Sequence, residues 1–214
     1  MNIDHPEALK PRKTPRQARS EVTVDAIFKA TVQVLLTDGE HRLTTTRVAE
    51  RAGVSVGTMY QYFPHKRALL YAVIQQHLTE FVSGFDAACR QLRNASMAVM
   101  AEGMVNAFID IKIRNPDLSR ALYKIAAELD TDELRISTAS QLQDACTAML
   151  ASATDAQFDD LPDVSFTLLT AMNGTTRAVF ELGMQERRLN VLRSQLLTLC
   201  RGYLQAVARE RGAP

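Results

Sequence analysis

Hydroxyls, phenols and cations crowd one stretch of this chain, LTTTRVAERAGVSVGTMYQYFPHKRALL, from Leu43 to Leu70. Thr45, Thr46, Ser55, Thr58, Tyr60, Tyr62 and Lys66 are donors of the kind that hold phosphate oxygens and so fix a protein's register on a nucleic-acid backbone. Arg47 and Gln61 are candidates for a two-point contact to a base edge. Val56 offers methyl groups that suit a thymine methyl, and Gly57 lets backbone come close. Catalytic chemistry has no comparable concentration. The four histidines, His5, His41, His65 and His77, show no metal-ligand spacing. No nucleophile motif or phosphate-cradling glycine loop occurs. The acidic run 155-DAQFDDLPD-163 lacks the glycine and closing glutamate of a calcium loop. No enzyme activity, cofactor or metal is expected.

The elements that must position these side chains follow from local chemistry. Thr44 is a helix cap, and Val48, Ala49 and Ala52 recur at helical spacing behind it. Gly53 ends that helix, because glycine takes the left-handed conformation at little cost. Val54 is the apolar residue of the turn, and Ser55 caps a second helix. That helix runs from Val56 to Phe63, with Met59 and Phe63 facing inward and Tyr60 and Tyr62 splayed to other sides. Pro64 stops it. An earlier helix, Glu21 to about Thr37, carries Ala26, Ile27, Ala30, Val34 and Leu35 on one stripe and closes at Asp38-Gly39. Three helices of this kind make a helix-turn-helix unit, which lays its last helix in the major groove of DNA.

Thr45-Thr46, Val48-Ala49-Glu50, Ala52-Gly53-Val54-Ser55, Gly57-Thr58-Met59-Tyr60, Tyr62-Phe63, Lys66 and Leu69-Leu70 together resemble the DNA-binding domain of the TetR (tetracycline-repressor-like) family, over roughly residues 21–70. The resemblance implies that Thr46, Val56 and Gly57 lie at base edges and that Thr45, Thr58, Tyr60, Tyr62 and Lys66 touch phosphates. His65 departs from the pattern, which more often has Ser or Asn there to cap the next helix.

Composition agrees with a helical cytoplasmic protein. Apolar residues make up 46% of the chain and charged residues 23%, and tryptophan is absent. No apolar run is long enough to span a membrane, and the N-terminus lacks the apolar core of a signal peptide. Cys89, Cys146 and Cys200 are odd in number and far apart in sequence, which predicts reduced thiols rather than a disulfide framework. Residues 1–67 hold eleven Lys and Arg against seven Asp and Glu, whereas the remainder is net acidic. The basic part is the part with the helix-turn-helix, as counterion release from phosphates favours. Residues 1–20, with Pro6, Pro11 and Pro15 among five basic residues, read as a flexible basic arm able to reach phosphates or a minor groove.

Beyond Lys66 the pattern stays helical, for about nine helices in an all-α chain. A long rod carries Leu70, Ile74, Leu78, Phe81 and Phe85, and a break falls near Asn94-Ala95-Ser96. Asn115-Pro116-Asp117 is a sharp helix start. Leu168, Met172 and Val179 on one late helix, and Leu192, Leu196, Leu199 and Tyr203 on the last, fall at steps of three and four that suit a helix–helix seam. The family resemblance implies that this seam joins two copies. An intrachain core fits the spacing as well. For a small-molecule effector, His77, Met100, Met104, Phe108, Tyr123, Met149, Asn173 and Arg177 are the candidates, methionine and aromatics as a soft lining and the rest as orienting groups. Arg177 has Glu181 four residues on as the simplest partner.

The expected organisation is a basic arm over 1–20, a helix-turn-helix domain over 21–66, and an effector-binding and dimerisation domain over 67–214. The expected function is a homodimeric, sequence-specific repressor of a pseudo-palindromic double-stranded operator, released by a small molecule. Alternatives are an activator or a nucleoid-organising DNA binder without an effector, and more remotely a helical enzyme or ligand carrier.

Overall fold

The computed structural model describes residues 18–182 and 186–210. Of the expected basic arm, residues 1–17 lie outside these, and residues 18–20 already belong to the first helix. Nine α-helices are present among the described residues: α1 (Ala18–Asp38), α2 (Thr45–Ala52), α3 (Val56–Tyr62), α4 (Lys66–Gln91), α5 (Met97–Ile113), α6 (Pro116–Ala126), α7 (Asp132–Leu150), α8 (Leu161–Glu181) and α9 (Glu186–Val207). The all-α expectation holds, with one minor addition to the helices. Two-residue strands, β1 (Ala156–Gln157) and β2 (Arg209–Glu210), pair antiparallel. A strand of two residues is too short to show any alternation in sequence. No helix of the described residues is long and apolar enough to cross a membrane.

The chain forms two compact units, the first running to His77 and including Asp117–Asp132, the second holding Leu78–Pro116 and the chain from Glu133 onward. This partition assigns α6 to the first unit, which a single cut at 66/67 does not anticipate.

The caps that bound the first unit's short helices are those the residue types dictate. Thr44 accepts from the Arg47 amide at 3.2 Å and Ser55 from the Thr58 amide at 2.9 Å. Gly53 ends α2 with φ +68°. His65 takes the capping role that Ser or Asn would fill, since its Nδ1 accepts from the Ala68 amide at 3.1 Å. Ile27, Val34, Leu43, Val48, Met59, Phe63 and Leu69 are each at most 1% exposed and form the interior. Burying side chains of this size contributes roughly 1.5–3 kcal/mol each, which outweighs the weak propensity of helices only seven or eight residues long.

In the second unit α5 and α9 run antiparallel, as two exposed ion pairs register: Arg201 to Glu102 and Arg193 to Asp110, each at 2.5 Å. A Cβ on Gly103 would stand 2.5 Å from Leu92 Cδ2 and 3.1 Å from its Cγ, so hydrogen at that position is what lets Leu92 pack onto α5. The acidic run 155–163 has structural work. Asp155 accepts from the Met97 amide at the start of α5, Asp160 from the Asp163 amide at the start of α8, and Asp159 pairs with Arg209.

Candidate nucleic-acid interface

Seven residues of helix give α3 two faces. Met59, fully buried, and Tyr62, 7% exposed, point into the core, followed by Phe63. Val56 and Tyr60, four residues apart, and Gly57 and Gln61, likewise four apart, are exposed on the other side. Thr46 and Arg47 are exposed on α2, and Ser55 is exposed at the turn. A Cβ at Gly57 would meet only Ser55 Oγ at 3.7 Å, an ordinary contact. Nothing in the fold itself therefore calls for glycine there.

Four of the sequence candidates sit differently from expectation. Tyr62 is not splayed outward: its ring packs 6.4 Å from that of Phe63, because positions 59, 62 and 63 share the buried arc of so short a helix. Thr45 is 8% exposed, and its hydroxyl donates to the Tyr60 phenol oxygen at 3.3 Å. Thr45 thus aims Tyr60, the exposed phenol, from behind. Arg47 folds back, its Nη1 donating to Asp38 Oδ2 at 3.3 Å and to the Arg42 carbonyl at 3.4 Å. Lys66 donates from Nζ to the Glu40 carbonyl at 2.7 Å, with the Glu40 carboxylate at 4.0 Å. A charge-assisted bond of this kind ties the start of α4 to the turn before α2.

The Lys66 geometry makes a prediction. A lysine neutralising a phosphate contributes about 0.9 to the slope of log affinity against log salt. Lys66→Gln is expected to weaken DNA binding and lower the melting temperature while leaving that slope unchanged. A slope reduced by about one unit in anisotropy titrations over a salt series would return Lys66 to the phosphates.

The effector candidates divide between the units. His77 and Tyr123 belong to the first, and Met100, Met104, Phe108, Met149, Asn173 and Arg177 to the second. Met100, Met104, Phe108 and Met149 are at most 1% exposed and form its core. Arg177 is exposed rather than buried, and its Nε meets Glu181 at 2.6 Å, so the simpler reading of that residue holds. The seam residues are also spent within the chain: Leu168, Met172, Val179, Leu192 and Leu196 are 9% exposed or less. Helical spacing marks a shared face but not whose helix covers it. Leu199, at 46%, faces outward, and Tyr203 is partly buried. The three cysteines, distant in sequence, are gathered in this core. Burial pushes the Cys146 thiol up to about 11 and Cys200 to about 12, with Cys146 near enough to raise both Cys200 and Cys89 further. Such thiols are inert.

Sequence reasoning missed Lys112. Its ammonium lies 4.7 Å from the centroid of the Phe81 ring and 5.1 Å from that of Phe108, and donates to Asn173 Oδ1 at 3.3 Å. The run Phe108-Ile109-Asp110-Ile111-Lys112-Ile113 could have flagged it, since a lysine among alternate isoleucines must place its charge somewhere. Burial lowers its pKa from 10.5 to about 7. Between these values the unfolded chain binds the additional proton, so this group makes stability rise with pH across that window. Lys112→Met is expected to gain most over wild type at or below about pH 7 and to lose that gain by about pH 10 in urea unfolding. A gain independent of pH would show the amine to be solvated.

Residues 27–73 match the family described as "Bacterial regulatory proteins, tetR family", and residues 96–204 match "Tetracyclin repressor-like, C-terminal domain". Among curated proteins, the chain is 26% identical over 130 residues to the nucleoid occlusion factor SlmA of Actinobacillus pleuropneumoniae, spanning 61% of each chain. It is 36% identical over 99 residues to the HTH-type transcriptional activator FasR of Mycolicibacterium smegmatis, covering 46% of this chain and 44% of that one. Among solved structures, a TetR transcription regulator from Haloarcula marismortui superposes with a TM-score of 0.71 at 19% identity, over 88% of this chain and all of that one. The last likeness concerns the fold. The matched segments take in the helix-turn-helix and half the chain beyond it, so the protein belongs to the TetR family of bacterial regulatory proteins.

Proposed function

We propose that the chain is a cytoplasmic, homodimeric transcription regulator that represses by occupying a pseudo-palindromic double-stranded operator and is released by a small molecule bound in the second unit. The carrying observation is the outer face of α3, where Val56, Gly57, Tyr60 and Gln61 are exposed on a helix whose other side is core. Hydroxyls and phenol there fix register, and the methyls and bare backbone read base edges. Two half-sites one turn apart need two copies.

For the dimer, this reading moves the contact to the outward sides of α8 and α9, which keep Leu199 from the seam drawn from sequence. Phe166 (58% exposed), Leu182 (71%), Val191 (53%) and Leu199 (46%) supply apolar surface. Gly174 and Gly202 lie on the same exposed sides with nothing within 4 Å of a Cβ, which lets another helix approach closely.

The names of the relatives favour a second reading, in which the same face organises the nucleoid or activates transcription without an effector. Selection of bound sequences from random DNA, followed by the mass of the complex, tests the first. An enriched inverted repeat carrying at least two copies of the chain is the expected result. No enrichment would favour the carrier or enzyme reading. Genome-wide mapping then separates a few promoter sites from the many scattered ones that nucleoid organisation requires.

A further inference from the structure

Thr45 and Tyr60 stand on different helices, 15 residues apart in sequence, yet their hydroxyls are joined. Thr45 opens α2 behind its Thr44 cap and is 8% exposed. Tyr60 lies in the second turn of α3 and is 44% exposed. The threonine Oγ1 donates to the phenol oxygen, and the described residues hold no other bond to either hydroxyl. Each hydroxyl carries one proton. The threonine's is spent on the phenol oxygen, so the phenol's own proton is left to donate outward. At 3.3 Å the bond is long for two hydroxyls, which usually stand about 2.7–2.8 Å apart. Giving the phenol proton to an anion makes the phenol oxygen a better acceptor, which strengthens the bond behind it. The pair is thus matched to an anionic acceptor in front of Tyr60, and a phosphate oxygen is the anion that a DNA backbone presents.

We infer that Thr45 and Tyr60 make one phosphate contact between them rather than one each. Tyr60 donates to the phosphate oxygen, and Thr45 is a positioning residue that sets the direction of the phenol O–H from behind. This rests on the reading of the outer face of α3 as the DNA-binding face. A phenol O–H on its own turns about its C–O bond, and the Thr45 proton excludes the direction that would bring two protons together. A threonine that is nearly covered and has given its proton to Tyr60 has none left for a phosphate of its own. The same bond spans the turn, so the first residue of α2 and the exposed side of α3 act on the backbone together.

The test uses the full chain as wild type, Tyr60→Phe, Thr45→Val, Thr45→Ser and the Thr45→Val, Tyr60→Phe double variant. Its DNA probes are the inverted repeat enriched from random sequence and copies in which a neutral methylphosphonate replaces one phosphate at a time. Valine and phenylalanine keep the side-chain shapes and remove the hydroxyl bond, so melting temperatures are expected within about 4 °C of wild type. Tyr60→Phe is expected to weaken binding about tenfold or more and Thr45→Val about threefold to tenfold, with Thr45→Ser within about twofold of wild type. The double variant should lose no more than Tyr60→Phe alone, because Thr45 acts only through the phenol. In the methylphosphonate series, the same phosphate of each half-site should lose its importance in Tyr60→Phe and in Thr45→Val, and regain it in Thr45→Ser. A merely structural role for Thr45 would lower affinity without silencing one phosphate. The inference is overturned by that result, by wild-type affinity in Tyr60→Phe or Thr45→Val, by the two substitutions silencing different phosphates, or by losses that multiply in the double variant. Any of these with specific binding by wild type sinks this inference alone, whereas a wild type with no preferred sequence sinks the regulator and the inference with it.

Discussion

Val56→Asp is expected to reduce operator affinity by about thirtyfold or more, roughly 2 kcal/mol, while shifting the melting temperature by no more than about 2 °C. Val56 is 39% exposed and is the first residue of α3 after its Ser55 cap. An acid in the first turn of a helix suits the macrodipole, so the fold has no reason to suffer. Against DNA the same carboxylate replaces an apolar contact by a charge facing phosphates. Val56→Ala, which removes methyls without adding charge, should cost less than half as much. Binding by Val56→Asp within about threefold of wild type would mean that this face of α3 does not lie in the groove.

Phe108→Ala is expected to destabilise the protein by about 3–5 kcal/mol, the upper end of what truncating one core side chain does. The ring is 1% exposed and has Phe81 and Phe85 edge-on at 5.2 and 5.9 Å, so its removal leaves a hole between rigid neighbours that relax poorly. For a chain of this size that is a fall of roughly 6–20 °C in melting temperature. Scanning calorimetry and urea unfolding should agree on the sign. A loss under about 1 kcal/mol would show that the site collapses around the deletion. The matched control is Phe166→Ala: with 58% of Phe166 exposed in one copy, its truncation should act on self-association.

The parts of the fold written in local chemistry were legible from the residues. Thr44, Gly53 and Ser55 bound the short helices as their side chains dictate, and Ser96 caps α5 as the break at 94–96 suggests. Facing was harder. On α3 the residues 59, 60 and 62 lie within one turn, so a small difference in helix rotation moves Tyr62 from surface to core. Periodicity found the α8 and α9 stripes but not which of them this chain covers itself, because a hydrophobic face looks alike whether its own chain or another packs on it. Lys112 and the meeting of Cys89, Cys146 and Cys200 depend on tertiary neighbours far away in sequence, which no window of spacing contains. The cap by Asp155 on α5 was hidden for the same reason, whereas Asp160 caps α8 from three residues away, within reach of local reading.

Gly103 and Leu92 share a space too small for one added methyl. A methyl at 103 has to be met by a shift or a trimming of the Leu92 side chain, whose atoms supply every close contact there. Descendants that enlarge residue 103 should be found with a smaller residue 92, and an engineered Gly103→Ala should be rescued by Leu92→Ala or Leu92→Val rather than by any change elsewhere on the helix.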